Sequence, residues 1–160
     1  MIEKIKYEDI LDLWSILWPT RTNNTHSNMR YKDTAFPKIT ELYAATYWGY
    51  FDSNTLVGVN SGHSSSLLHY RSRGLYVLPE YRKKGIATQL LQEVIKQGKT
   101  ENRKLCWSLP RKEAIDAYLS VGFNQDSAWF ETETSEQNCY VIKKLGRVFS
   151  PLSSRLSTLD

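Results

Sequence analysis

The sequence predicts one α/β (α+β) domain over residues 1–145, followed by a mobile tail at residues 146–160 that carries four serines and no periodicity. Three observations carry this prediction. Strand-like and helix-like runs follow in the order strand, helix, three strands, helix, strand, helix, two strands. Two of these passages, residues 75–97 and 105–121, are strand–turn–helix units whose strand ends can open onto a ligand. And 160 residues, 41% hydrophobic and 24% charged, suffice for one core and match ordinary globular usage.

"IEKIK" alternates apolar and charged residues like a short strand, and from Tyr7 the residues Ile10, Leu13, Trp14 and Leu17 fall at helical spacing until Pro19. Residues 19–38 read as a long polar loop. "ELYAATYWGYFD" and "TLVGVNSGH" are β-rich runs around Ser53-Asn54, a hairpin pattern, and "SRGLYVL" is a third strand. After Gly85 two adjacent columns, Ile86, Leu90, Val94 and Ala87, Leu91, Ile95, make a helix face that packs on a sheet, with Gly98 near the helix end. "KLCWSL" is a strand, Ala114, Ala117, Tyr118 and Val121 are a second helical face before Gly122, and "WFETET" with "CYVIKKL" forms a last hairpin.

Several function classes are excluded at this level. No run approaches the roughly 20 apolar residues of a membrane span, and "MIEKIKYEDI" has charges where a signal peptide is apolar, so a cytoplasmic protein without a membrane partner is expected. Cys106 and Cys139 have no CxxC partner and the three histidines have no zinc spacing, so neither a metal nor a disulfide is expected, and both thiols should be reduced. The net charge of +4 sits largely in short clusters, with no recognition-helix pattern, which argues against nucleic acid.

The clusters are themselves informative. In "LYVLPEYRKKGIATQLL" three cations, Arg82, Lys83 and Lys84, stand where a helix begins. That end already carries the positive pole of the helix dipole and unpaired N–H groups, so added cations cost stability unless an anion is shared. Neither GxxxxGK[ST] nor GxGxxG is present. "RKKGIA" offers the same physics: Gly85 lets backbone N–H groups approach a diphosphate, and small Ala87 avoids crowding it. By the same reasoning a bulky β-branched residue at Gly85 should block the diphosphate and leave the fold intact.

Residues 82–87 match the pattern [QR]xxGx[GA] after a strand and turn, and "AIDAYLSVGF" at residues 114–123 matches AxxxYxxxGF. On these two elements the sequence resembles the GNAT superfamily of acyl-CoA N-acyltransferases over residues 75–123. The resemblance implies a central mixed, mostly antiparallel sheet of six to seven strands flanked by helices, acetyl-CoA as cosubstrate, and direct attack by a primary amine of a small molecule or protein in a ternary complex, on a monomer or homodimer. It also implies that Leu75, Tyr76 and Val77 offer backbone groups to the pantetheine arm and acetyl carbonyl, that Arg82, Lys83, Lys84, Gly85, Ile86 and Ala87 hold the pyrophosphate, and that Tyr118 stands near the thioester sulfur. One departure is Arg111, where many relatives have an asparagine. An aminoglycoside-type acetyltransferase and a non-catalytic acyl-CoA sensor are the alternative readings.

In this chemistry Tyr118, with an ordinary pKa of about 10, keeps a proton for the departing thiolate, although its spacing alone also fits a core residue. A lysine-like amine is neutral at pH 7 about once in 2,500 molecules, equivalent to about 4.6 kcal/mol, so a base or a water chain is needed. Glu41, His63 and His69 are the base candidates. Trp18, Tyr31, Phe36, Trp48, Tyr50 and Trp129 are candidate cleft walls, and Glu131, Glu133 and Glu136 candidate attractors for a cationic amine.

Overall fold

The computed structural model describes residues 1–19, 31, 44–132 and 136–146. Glu41, Phe36, Glu133 and residues 147–160 of the tail lie outside them, as does most of the 19–38 loop. Along the described chain run β1 (Ile2–Ile5), α1 (Tyr7–Leu17), β2 (Thr46–Asp52), β3 (Thr55–Ser64), β4 (His69–Val77), a 3-10 turn (Pro79–Tyr81), α2 (Ile86–Thr100), β5 (Leu105–Ser108), α3 (Ile115–Ser120), β6 (Asn124–Gln125), β7 (Phe130–Glu131), β8 (Gln137–Asn138) and β9 (Val141–Lys144). Seven strands form the main sheet in the order β1-β2-β3-β4-β5-β9-β6. Every neighbouring pair is antiparallel except β4 with β5, which is the mixed, mostly antiparallel sheet the sequence predicts.

The helices form where periodicity places them. In α1 the backbone N–H of Lys6 donates to Asp9 Oδ2 at the first turn, and Ile10, Leu13, Trp14 and Leu17 are buried in a cluster with Val59. In α2 Ile86, Leu90, Leu91, Val94 and Ile95 are buried, joining Val57 and Val77 at one end and Tyr70, Cys106 and Val141 at the other. Each fully buried aliphatic side chain contributes about 1.5–3 kcal/mol, so this face fixes where α2 begins. Ser53-Asn54 is the tight turn between β2 and β3, with Asp52 opposite Thr55 and Ser53 at φ 54°.

The last expected hairpin does not form. β9 pairs with β5 and β6, while "WFETET" contributes only β7, which pairs with the short β8 in a separate two-stranded sheet. After β8 the chain passes Cys139 and Tyr140 into β9, where Val141 is fully buried between β5 and β6, whereas β7 offers only a half-buried Phe130 and an exposed Glu131. Cys106 and Cys139 are both free and buried, and Cys106 lies opposite Lys143 instead of the other thiol.

Two irregularities in β4 position the site. Its ladder to β5 ends at Arg71 opposite Trp107, so among the described residues the β5-side edge of β4 beyond Arg71 has no strand beside it. Between Val59↔Tyr76 and Ser61↔Arg73, β4 carries one residue more than β3, a bulge that contains Gly74 at φ 80°. Trp14 Nε1 donates to the Gly74 carbonyl at 2.9 Å, and a Cβ here would fall 2.3 Å from that nitrogen. Glycine is required both by the left-handed backbone and by the indole stacked on it.

Candidate active site

Two clefts open along the free edge of β4. The larger, about 350 Å³, is lined by Leu75, Tyr76 and Val77 of β4, Arg82 and Lys83 of the following turn, and Gly85, Ile86 and Ala87 at the start of α2. Every residue predicted to hold the cofactor lines it except Lys84, whose ammonium sits over the Tyr81 ring at 5.3 Å. Arg82 is turned back onto the strand: its Nε donates to the Val77 carbonyl at 2.9 Å, and its guanidinium lies over Tyr76. Lys83 lines the cleft on a backbone at φ 62°, and Gly85, two residues on, has φ 80°. These two left-handed residues stand just before the N-terminus of α2, an end that suits an anion. A Cβ placed on Gly85 meets no atom within 4 Å, so the ground in front of the helix is open.

The second cleft is a recess of about 80 Å³ that shares Leu75, Arg111 and Ala114 with the first. Tyr118 stands in its wall, 2% exposed, with its ring edge-on to Phe123. Its phenol oxygen lies 2.8 Å from Ser72 Oγ and 2.9 Å from Ser108 Oγ. Burial pushes the phenol up to about 12, while the two serine hydrogen bonds pull the other way. At the mouth Arg111 pairs with Glu136 at 3.4 Å, and Asn138 Nδ2 donates to the Leu109 carbonyl at 2.8 Å, its buried Oδ1 having no hydrogen-bond partner among the described residues. Arg71 and Arg73 also line the recess, stacked over Trp107 and Trp18.

The acetyltransferase (GNAT) family model matches residues 8–123. The chain belongs to the GNAT acetyltransferase family. It is 28% identical over 142 residues to the aminoglycoside N(6')-acetyltransferase type 1 of Acinetobacter baumannii, covering 82% of this chain and 90% of that protein. Among solved structures, an aminoglycoside 6'-N-acetyltransferase complexed with coenzyme A superposes with a TM-score of 0.65 at 12% identity, over 94% of this chain and 99% of the other. The acetyltransferase yncA of Salmonella typhimurium with acetyl-CoA gives 0.65 at 15% identity, over 94% and 96%. This GNAT protein is an acetyl-CoA-dependent N-acetyltransferase, and acetyl-CoA is its cosubstrate.

Against that frame the remaining sequence candidates divide. Of the predicted walls among the described residues only Trp18 lines the recess; Tyr31 packs on His69, Trp107 and Tyr140, and Trp48, Tyr50 and Trp129 pack against the core. Neither His63 nor His69 lines either GNAT cleft; His69 Nδ1 lies 2.7 Å from Ser66 Oγ at the far end of β4. Glu131 is exposed on β7, and Glu136 is the described carboxylate in the recess. Arg111 lines both clefts, where it can meet a phosphate or the acceptor. Ser72, Ser108 and Asn138 escaped the sequence reading, since nothing in a strand serine or asparagine marks it before β4, β5 and β8 are brought together.

Proposed function

We propose that acetyl-CoA lies along the free edge of β4, its pyrophosphate at Gly85, Ile86 and Ala87 and its thioester at Tyr118, and that a primary amine of a small molecule or protein enters through the Arg111–Glu136 mouth. The observation that carries this is continuity: the anion-ready start of α2 and the Tyr118 recess share Leu75, Arg111 and Ala114. The cosubstrate supplies an activated acetyl group. The protein's residues do the rest. N–H groups on the unpaired edge of β4 polarise the carbonyl, and Tyr118 gives its proton to the departing sulfur.

An aminoglycoside acceptor is the second reading, favoured by the Acinetobacter baumannii relative. Charge weighs against it. Among the described residues the recess is lined by Arg71, Arg73 and Arg111 against Glu136 alone, and several ammonium groups brought there are repelled. Thiol release from acetyl-CoA with tyramine, L-lysine, spermidine, an alanyl peptide and kanamycin decides between them. A monoamine or the peptide should turn over with the highest kcat/KM; kanamycin leading the panel would establish the second reading, and no release with any amine would overturn both.

A further inference from the structure

Counting protons around Tyr118 brings in two more residues. Ser108 Oγ lies 2.7 Å from the Ser72 carbonyl, which can only accept, and 2.9 Å from the Tyr118 phenol. Ser108 is placed to donate to either, so its one proton is shared between the Ser72 carbonyl and the phenol oxygen. On the other side Asn60 Nδ2 donates to Ser72 Oγ at 3.0 Å, and the Ser72 proton can go to Asn60 Oδ1 at 3.3 Å or to the phenol at 2.8 Å. Two hydroxyls therefore bracket the phenol oxygen: Ser108 donates to it, and Ser72 can donate to it or accept its proton. Asn60, Ser72, Ser108 and Tyr118 are all buried, so bulk water does not compete.

We propose that Ser72 and Ser108 are positioning residues for the transfer, a pair of hydroxyls that hold Tyr118 in place and receive its charge when the proton leaves. The inference rests on Tyr118 being the acid. As the amine nitrogen bonds to the acetyl carbon and the carbon–sulfur bond breaks, the electron pair of that bond goes to sulfur and the Tyr118 proton follows, leaving a phenolate. Ser72 can donate to that oxygen. Ser108, placed to donate to the phenol oxygen or to the Ser72 carbonyl, gives its hydrogen to the phenolate. The buried anion then has two O–H donors, each roughly twice as strong as a neutral hydrogen bond. The proton shed by the acetylated nitrogen returns through water to Tyr118, and the reaction closes with one thiol formed and one amine proton consumed. Ser108 has a second part: its bond to the Ser72 carbonyl spans β4 and β5 one residue beyond the last ladder pair, at the point where the strands part.

The test compares Ser72→Ala, Ser108→Ala and Ser108→Thr with Tyr118→Phe. Two readouts are taken beside melting temperature: kcat with the best amine of the panel, and the thiol pKa of bound coenzyme A from thiolate absorbance, which needs no acceptor. Each Ala variant should lower kcat about tenfold with little change in acetyl-CoA affinity, the loss of one hydrogen bond to a charged group. The bound thiol pKa should rise toward its value in Tyr118→Phe, and Ser108→Thr, which keeps the hydroxyl, should restore both. Serines that only pack would lower the melting temperature and leave kcat per folded molecule and the thiol pKa alone, which overturns the proposal. A Tyr118→Phe variant with normal kcat and thiol pKa overturns the reading of Tyr118 itself, a different pattern.

Discussion

A phenol buried to 2% exposure and held up near 12 keeps its proton at every pH an enzyme normally sees. On the proposed reading this suits Tyr118 to donate a proton and not to act as a base, and the amine would lose its own proton elsewhere. Replacing Tyr118 with Phe keeps the ring on Phe123 and removes the donor. The variant should lose about 10²-fold in kcat, keep its acetyl-CoA affinity, and lose about 1 kcal/mol of stability for the missing hydroxyl. Unchanged turnover per folded molecule would return Tyr118 to the core. The same raised value sets the pH profile. Because Tyr118 deprotonates only near 12, kcat/KM for the amine should climb through the amine's own pKa and show no falling limb below about pH 10.5. A falling limb at pH 8 to 9 that Tyr118→Phe abolishes would contradict this.

At the scale of elements, the strand–turn–helix from Leu75 to Thr100 was legible because its signals are local: an apolar run, a Pro-Glu-Tyr turn, three cations, a glycine, then two apolar columns. The final hairpin was not, since β9 is chosen by β5, a strand more than thirty residues earlier, and no local pattern names that partner. The structure also revises what a substitution at Gly85 does. Its φ of 80° strains any β-branched residue even though a Cβ has open space, so Gly85→Val disturbs the loop as well as the diphosphate. Gly85→Asn, which tolerates this backbone, isolates access. It should fold with a near-normal melting temperature and bind coenzyme A at least tenfold more weakly by calorimetry. Gly74 behaves differently. An added methyl meets the Trp14 indole at 2.3 to 2.5 Å, and Gly74→Ala should cost about 2–4 kcal/mol in urea unfolding and shift Leu75 out of register. Stability within 0.5 kcal/mol of the parent would show that the bulge is not held by this contact.

For the whole molecule, residues 75–123 carry the family's pattern in sequence, yet the recess is built by α1, β4, β5, α3 with the loop before it, and β8, elements that meet only in the fold. The sequence named Tyr118 by its helix and could not name Ser72 or Ser108 by theirs. The same convergence concentrates protons in the core: Tyr70, Cys106 and Tyr118 belong to one buried cluster, and burial raises all three, Cys106 from 9.0 to about 12. Each is neutral in the folded chain where the unfolded chain would ionise. Their contribution to stability is therefore complete below the unfolded values, 9.0 for the thiol and 10.0 for the phenols, and is lost as pH climbs from there toward the folded values. Within that window each group removes about 1.4 kcal/mol per pH unit. Through these three groups, unfolding free energy from urea titrations should fall by nearly 4 kcal/mol between pH 8 and pH 10.5, about 2 of it from Cys106 and close to 1 from each phenol. Cys106→Ala lowers stability at both pH values by leaving a small void, but the difference between them should shrink to about 2 kcal/mol, the share of the two phenols. An equal fall in the parent and in Cys106→Ala would mean that the thiol ionises in the folded core, and that the cluster shared with Tyr118 is open to water.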